Sequence, residues 1–150
     1  AAEADQLWAA RRALSPALRR LAPKKINEDV VVPVSRLPEL IAGLRPIAVQ
    51  YGIQIVNFGH AGNGNLHVNL LLQPEDPAQA GAAPDCLAAV FALVLALNGT
   101  LSGEHGIGLI KREFLPRALD PAALELMRGI KTHFDPDGIL NPGKLLPDMV

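Results

Sequence analysis

Two histidines, a glutamate next to a third histidine, and a set of glycines around them are the residues in this 150-residue chain whose types could do chemistry. His60 lies in the segment Gly59-His60-Ala61-Gly62-Asn63-Gly64-Asn65, and His67 follows seven residues later. That spacing is unlike a helical metal motif, but a curled turn can bring the two imidazoles together. One reading makes them metal ligands; the other has them hydrogen-bonded to turn backbone. Glu104 and His105 sit in Ser102-Gly103-Glu104-His105-Gly106-Ile107-Gly108, where the glycines allow close backbone approach. Neighbouring residues of an extended chain point opposite ways, so one of the pair could hold an ion while the other faces a substrate. Two imidazoles and one carboxylate with open positions suit Zn²⁺ first, with Mn²⁺ and Fe²⁺ behind it. The glycine order G-x-x-G-x-G matches neither a dinucleotide fingerprint nor a phosphate-binding loop.

The elements that must carry these residues can be read from periodicity. Leu7, Trp8, Leu14, Leu18 and Leu21 recur at helical spacing with Arg11, Arg12, Arg19 and Arg20 between them, which predicts an amphipathic first helix interrupted at Pro16. Its arginines form a solvated face, or Arg11 pairs bidentately with a carboxylate. The β-branched run Asp29 to Val34 predicts a strand, and Leu37 to Tyr51 a helix closed by Gly52. Ile53 to Phe58 and Leu66 to Leu72 alternate like the arms of a hairpin, with His67 and Asn69 sharing the polar face of the second. Gln73 to Pro84, with three prolines, reads as a surface loop. Cys86 to Leu97 reads as a buried helix ended by a left-handed cap at Asn98-Gly99. Ile110 to Leu119 and Pro121 to Phe134 read as two more helices, with Asp120 capping the second and His133 near its final carbonyls. The expected class is α+β, an antiparallel sheet with helices packed on it.

Composition narrows the function classes. Hydrophobic residues make up 49% and charged residues 19%, enough apolar material for one packed domain. The net charge of -1, with no run of like charge, leaves no footprint for nucleic acid. Cys86 is the sole cysteine, which rules out an internal disulfide and fits a reducing compartment. The twelve-residue apolar run Cys86 to Leu97 is shorter than the ~20 residues a bilayer requires, so no transmembrane segment is expected. No signal-peptide pattern opens the chain, and it starts without methionine, directly in a helical pattern. These features predict one domain of a longer protein.

Three ordered motifs, Gly59 to Asn69, Ser102 to Gly108, and Phe134-Asp135-Pro136-Asp137-Gly138-Ile139-Leu140-Asn141-Pro142-Gly143-Lys144, closely resemble the C-terminal domain of FAD-linked 2-hydroxy-acid oxidases and dehydrogenases. That group includes the flavin subunit of glycolate oxidase, D-lactate dehydrogenase and D-2-hydroxyglutarate dehydrogenase. The resemblance covers nearly all of residues 1–150, including Ile26 to Pro33. It implies a ferredoxin-like cap domain that works beside an N-terminal FAD-binding domain, which 150 residues leave no room for. It implies that His60, His67 and Glu104 hold a divalent metal, Zn or Mn, and that His105 is the catalytic base. Asn69, Arg11, Ser15 and Lys25 would bind substrate, with Asn27 an alternative to Lys25. Asn141 and Lys144 would lie near the flavin at the domain junction. One departure is visible: family turns usually read Gly-Asp-Gly-Asn where this chain has Gly62-Asn63-Gly64-Asn65. The implied substrate is a 2-hydroxy acid of glycolate or D-lactate type, oxidised to the 2-oxo acid, with other oxidase subunits as further partners. The implied location is cytoplasmic, at most peripheral to the inner membrane. A metal-dependent hydrolase domain and a non-catalytic scaffold module are the alternatives; the scaffold needs none of these side chains to meet.

Overall fold

The computed structural model describes residues 2–148; Ala1, Met149 and Val150, which the 1–150 domain expectation includes, lie outside them. Three strands form one sheet in the order β1-β3-β2: β1 (Lys24–Val31), β2 (Gln54–His60) and β3 (Asn65–Leu72), with β3 antiparallel to both neighbours. Helices α1 (Ala2–Ala17) and α2 (Leu37–Tyr51) precede and follow β1, and α3 (Pro77–Ala96) follows β3. After α3 the chain returns to β1, where Thr100 exchanges two backbone hydrogen bonds with Val31. The succession β1, α2, β2, β3, α3 and this bridge is the ferredoxin-like order with the last strand reduced to one residue pair. The one-turn α4 (Leu115–Ala118) and α5 (Pro121–Phe134) complete the chain.

Strand alternation gives the sheet two unlike faces. Val30, Leu66, Val68, Leu70 and Leu72 point to one side, where they meet Leu40 and Leu44 of α2 and Cys86, Val90, Phe91 and Val94 of α3 in a single buried core. The opposite face carries Lys25, Asn27 and Asp29 from β1, His67 and Asn69 from β3, and Val56, Phe58 and His60 from β2. Just after α1, Leu18 opens a 3₁₀ turn (Leu18–Arg20) and touches this second face, joining Ala22, Leu71, Val56 and Phe58 in a small apolar cluster.

Several expected boundaries move. The first strand begins at Lys24, and Pro33 and Val34 lie beyond it, because pairing with β3 selects the segment rather than β-branching. Of the five apolar residues expected to line the first helix, Leu18 and Leu21 lie beyond the end of α1, and Leu18 alone of the five is buried while Leu7, Trp8, Leu14 and Leu21 are exposed. Of the expected loop Gln73 to Pro84, residues 73–76 are loop but Pro77 to Pro84 form the first two turns of α3: the Asp76 carboxylate accepts from the amides of Ala78 and Gln79, and Pro77 occupies the first turn, where no N–H is needed. That makes α3 20 residues long, and by length and apolarity alone it could cross a bilayer; six of its residues are buried in this fold. Pro116 restricts the expected Ile110–Leu119 helix to a 3₁₀ turn and the single turn of α4. Asn98 ends α3 in the left-handed conformation, and Asp120 caps α5, both as expected.

Candidate active site

The hairpin between β2 and β3 sets the distance between the two histidines. His60 is the last residue of β2 and pairs with Asn65, while Phe58 pairs with His67, so the imidazoles stand on one face at diagonal positions. Their ring centroids are 5.6 Å apart, edge to face. Gly64 makes the turn possible: its φ is +77°, and a Cβ there would lie 2.0 Å from the carbonyl oxygen of Val32. Asn63, which replaces the aspartate of the resembling turns, uses its Oδ1 to accept the amide of Asn65 at 3.1 Å. It therefore closes the turn as an Asx cap without a charge.

Glu104 and His105 arrive from the other side, over the edge of β1. The segment is not extended, and their side chains do not diverge as the spacing predicts. It curls, so that Glu104 Oε1 lies 3.1 Å from His67 Nε2 and the His105 ring centroid 5.4 Å from that of His67. His60, His67 and Glu104 each offer a ligand atom within 4.8 Å of the other two. Burial pushes the His67 pKa down and the neighbouring histidines add to this, while Glu104 opposes it, so the imidazole favours the neutral form that a metal requires. Two nitrogens and one carboxylate oxygen on a half-open surface form a donor set that fits Zn²⁺ with sites left for substrate.

Beside these residues a cleft of about 360 Å³ opens between α1 and the sheet, lined by Arg11, Ser15, Asn27, Phe58, His60 and His67 among others. Arg11 Nη2 donates to His60 Nε2 at 3.5 Å, and Lys25 Nζ donates to Ser15 Oγ at 2.5 Å. Arg11, Arg12 and Ser15 thus line one small space, which suits an anion; Lys25 is linked to it only through Ser15, while Asn27, its alternative, lines the cleft itself. Asn69 takes a different position from the others: it is fully buried, and its amide donates to the carbonyls of Val56 and His67 at 3.1 and 3.2 Å. Its Oδ1 and that of its strand partner Asn27 are buried with no hydrogen-bond partner among the described residues. Asn141 and Lys144 are not brought to this cleft. They hydrogen-bond each other at 3.2 Å and line a separate, mostly apolar hollow with Ile130, Phe134 and Leu140 of the C-terminal part.

Sequence reasoning missed the group on which the second motif rests. Asp29, with no exposed surface, accepts the amides of Gly103 at 2.6 Å and His105 at 3.1 Å, and the amide of Glu104 between them. Lys111 Nζ reaches Asp29 Oδ1 at 2.7 Å, its main-chain oxygen at 2.9 Å, and Glu28 Oε2 at 3.3 Å. Burial alone would raise the Asp29 pKa; the Lys111 hydrogen bond and the amides outweigh it and hold the group well below the usual carboxylate range. Glu28, with fewer donors, is raised by burial despite Lys111. The available signal was an adjacent Glu-Asp pair inside an apolar strand run, which places a carboxylate on each face.

Comparison with known proteins places the chain in a family. Residues 1–145 match the family described as "FAD linked oxidases, C-terminal domain". The chain belongs to that family. It is 38% identical over 143 residues to the glycolate oxidase subunit GlcD of Bacillus subtilis (strain 168), covering 95% of this chain and 30% of that protein. It is 40% identical over 149 residues to the D-2-hydroxyglutarate dehydrogenase of Xanthomonas citri pv. viticola, covering 96% of this chain and 31% of the relative. It is 36% identical over 142 residues to a D-lactate dehydrogenase of Anaerostipes hadrus, covering 92% and 29%. The chain therefore spans about a third of the length of these curated relatives.

Proposed function

We propose that this FAD-linked oxidase C-terminal domain is the substrate- and metal-binding part of a flavoenzyme that oxidises a small 2-hydroxy acid, of the glycolate or D-lactate type, to the 2-oxo acid. The observation that carries the reading is the meeting of His60, His67 and Glu104 within 4.8 Å, on the rim of a cleft that Arg11 and Ser15 also line, with Lys25 hydrogen-bonded to Ser15. A scaffold would not need this convergence. The names of the relatives, all oxidases or dehydrogenases of 2-hydroxy acids, support the reaction class over hydrolysis.

His60, His67 and Glu104 would hold a divalent ion, whose contribution is Lewis acidity toward the substrate hydroxyl. The flavin's contribution is to accept the hydride from the substrate carbon. We assign its binding mainly to an N-terminal domain outside these 150 residues, with Asn141 and Lys144 at the junction. Arg11 binds the substrate carboxylate in the cleft, and the Lys25 ammonium, held by Ser15, adds a second positive group. Asn69, fixed by the Val56 and His67 carbonyls, holds His67 and the strand beneath the substrate in place. His105 takes the hydroxyl proton: its Nδ1 is 3.4 Å from Asp29 Oδ1, an arrangement that favours the proton on Nδ1 and leaves Nε2 as the basic atom. Loss of this proton and of the C–H hydride leaves the carbonyl of the product.

The test is His105→Ala in the intact flavoenzyme. Turnover should fall by roughly 10²–10⁴ with metal content unchanged. Loss of the metal would make His105 a ligand, and near-normal turnover would remove it as the base. As a second arm, residues 1–150 alone, purified with excess FAD, should be colourless and inactive on glycolate and D-lactate. A stoichiometric yellow complex would overturn the assignment of flavin binding to another domain.

A further inference from the structure

The Asp29 carboxylate lies where two parts of the site meet, and its surroundings suggest a role of its own. In the β1–β3 register Asp29 is the direct partner of His67, so the strand pairing places this carboxylate under the same imidazole that Glu104 and His105 approach from above. A fully buried charge is tolerated only if neighbouring groups meet it with hydrogen bonds. Here those groups are three consecutive backbone N–H groups, from Gly103, Glu104 and His105, all turned onto Oδ2. Ser102 links the two ends of this curl, with its Oγ donating to Asp29 Oδ1 at 3.3 Å and accepting the amide of Gly106 at 2.7 Å. A run of amides pointing into one concavity is an anion nest, and in this fold the anion is part of the chain. Lys111 holds the other oxygen, so the carboxylate cannot turn away.

Gly103 shows how closely the curl must sit. A Cβ there would fall 2.7 Å from the Asn65 side-chain nitrogen and 2.8 Å from Val31 Cγ2, so no side chain fits between the segment and the strands. Residues 102–106 belong to no helix or strand, and among the described residues the hydrogen bonds of their amides go to Asp29 and Ser102. Without the carboxylate, three adjacent amides would point at one another with nothing between them.

We propose that Asp29 is the positioning residue of the site: an internal anion that folds the Ser102–Gly106 segment into a nest and so aims Glu104 and His105 at His67. The folding role stands on the geometry alone; the consequence for metal binding rests on Glu104 being a ligand. Asp29 touches neither substrate nor ion, and acts through the backbone of Glu104 and His105 and through the His105 imidazole, whose Nδ1 lies 3.4 Å from its Oδ1.

The experiment uses residues 1–150 and reads two quantities. Amide hydrogen exchange in the unaltered chain should show Gly103, Glu104 and His105 protected at least about tenfold over a free loop. In Asp29→Asn those three amides should lose that protection while the β3 amides keep theirs, because an amide group turns N–H donors where acceptors are needed. Zn²⁺ affinity, measured by calorimetry, should fall by roughly 10–100-fold in the same variant. A fast-exchanging loop in the unaltered chain would overturn the proposal without any variant, so the test survives if Asp29→Asn fails to fold. Full protection and unchanged Zn²⁺ affinity in a folded Asp29→Asn would overturn it as well. Should the unaltered chain bind no Zn²⁺, the metal reading fails, and the exchange results alone decide the role of Asp29.

Discussion

The two faces of the three-stranded sheet solve opposite problems with the same strands. On the helix side, Val68, Leu70, Val90 and Phe91 fill space, and the stability they provide depends on volume and contact with α2 and α3. On the other side, His60, His67, Asn69 and Asp29 fill little space, and their positions depend on hydrogen bonds and charge. Because one residue separates the faces along a strand, a core residue such as Val68 fixes the direction of its neighbours His67 and Asn69. The packed face therefore acts as the template for the polar one. The two should respond differently to mutation and to pH.

The largest effects should be similar in size on each side but differ in pH dependence. Phe91, which meets Phe114 edge to face with centroids 4.8 Å apart, should cost about 3–5 kcal/mol when replaced by alanine, at any pH where the protein is folded. Lys111→Met strands two buried carboxylates and should cost about 3–5 kcal/mol near neutrality. Without Lys111 both acids shift upward, so their contribution to stability is present below the ordinary carboxylate pKa and is lost as pH rises through the raised values. The Lys111→Met penalty should therefore shrink in acid, and urea denaturation at pH 4 and pH 7 separates the two variants. Equal pH dependence would break the contrast.

A smaller effect sharpens the description of the packed face. Burial pushes the Cys86 thiol up from 9.0 to about 11. A raised native pKa gives stability that is complete below the unfolded value and disappears as pH rises through the native one, so roughly 3 kcal/mol should be lost between about pH 9 and 11. Cys86→Ala should abolish that slope. The smallest stability effect belongs to the polar face: His67→Ala, which removes an imidazole whose Nδ1 has no partner among the described residues, should change unfolding free energy by less than about 1 kcal/mol while eliminating tight Zn²⁺ binding.

The template was more legible in the sequence than the polar face it carries. Alternation identified β3 and put His67 and Asn69 on one side of it, and the Asp120-Pro121 signature located the start of α5. The same signature at Asp76-Pro77 was hidden by the prolines on either side of it, so two turns of α3 read as a loop. The metal-ligand candidates were visible as residue types in glycine-rich segments. Asp29 was not, because a strand thought to begin there gives no hint that its carboxylate is fully enclosed. Nor could periodicity place Lys111, which reaches β1 from a segment 82 residues away.

Whether His60, His67 and Glu104 form one metal sphere decides whether this face of the sheet is a metal site. Zn²⁺-edge X-ray absorption, with anomalous scattering from a crystal of the Zn²⁺-loaded chain, measures this. Two imidazole nitrogens and one carboxylate oxygen from these residues, each about 2.0–2.2 Å from a single ion, is the predicted result. An ion bound elsewhere on the chain, or Zn²⁺ affinity unchanged when His60 and His67 are both replaced by alanine, would contradict it.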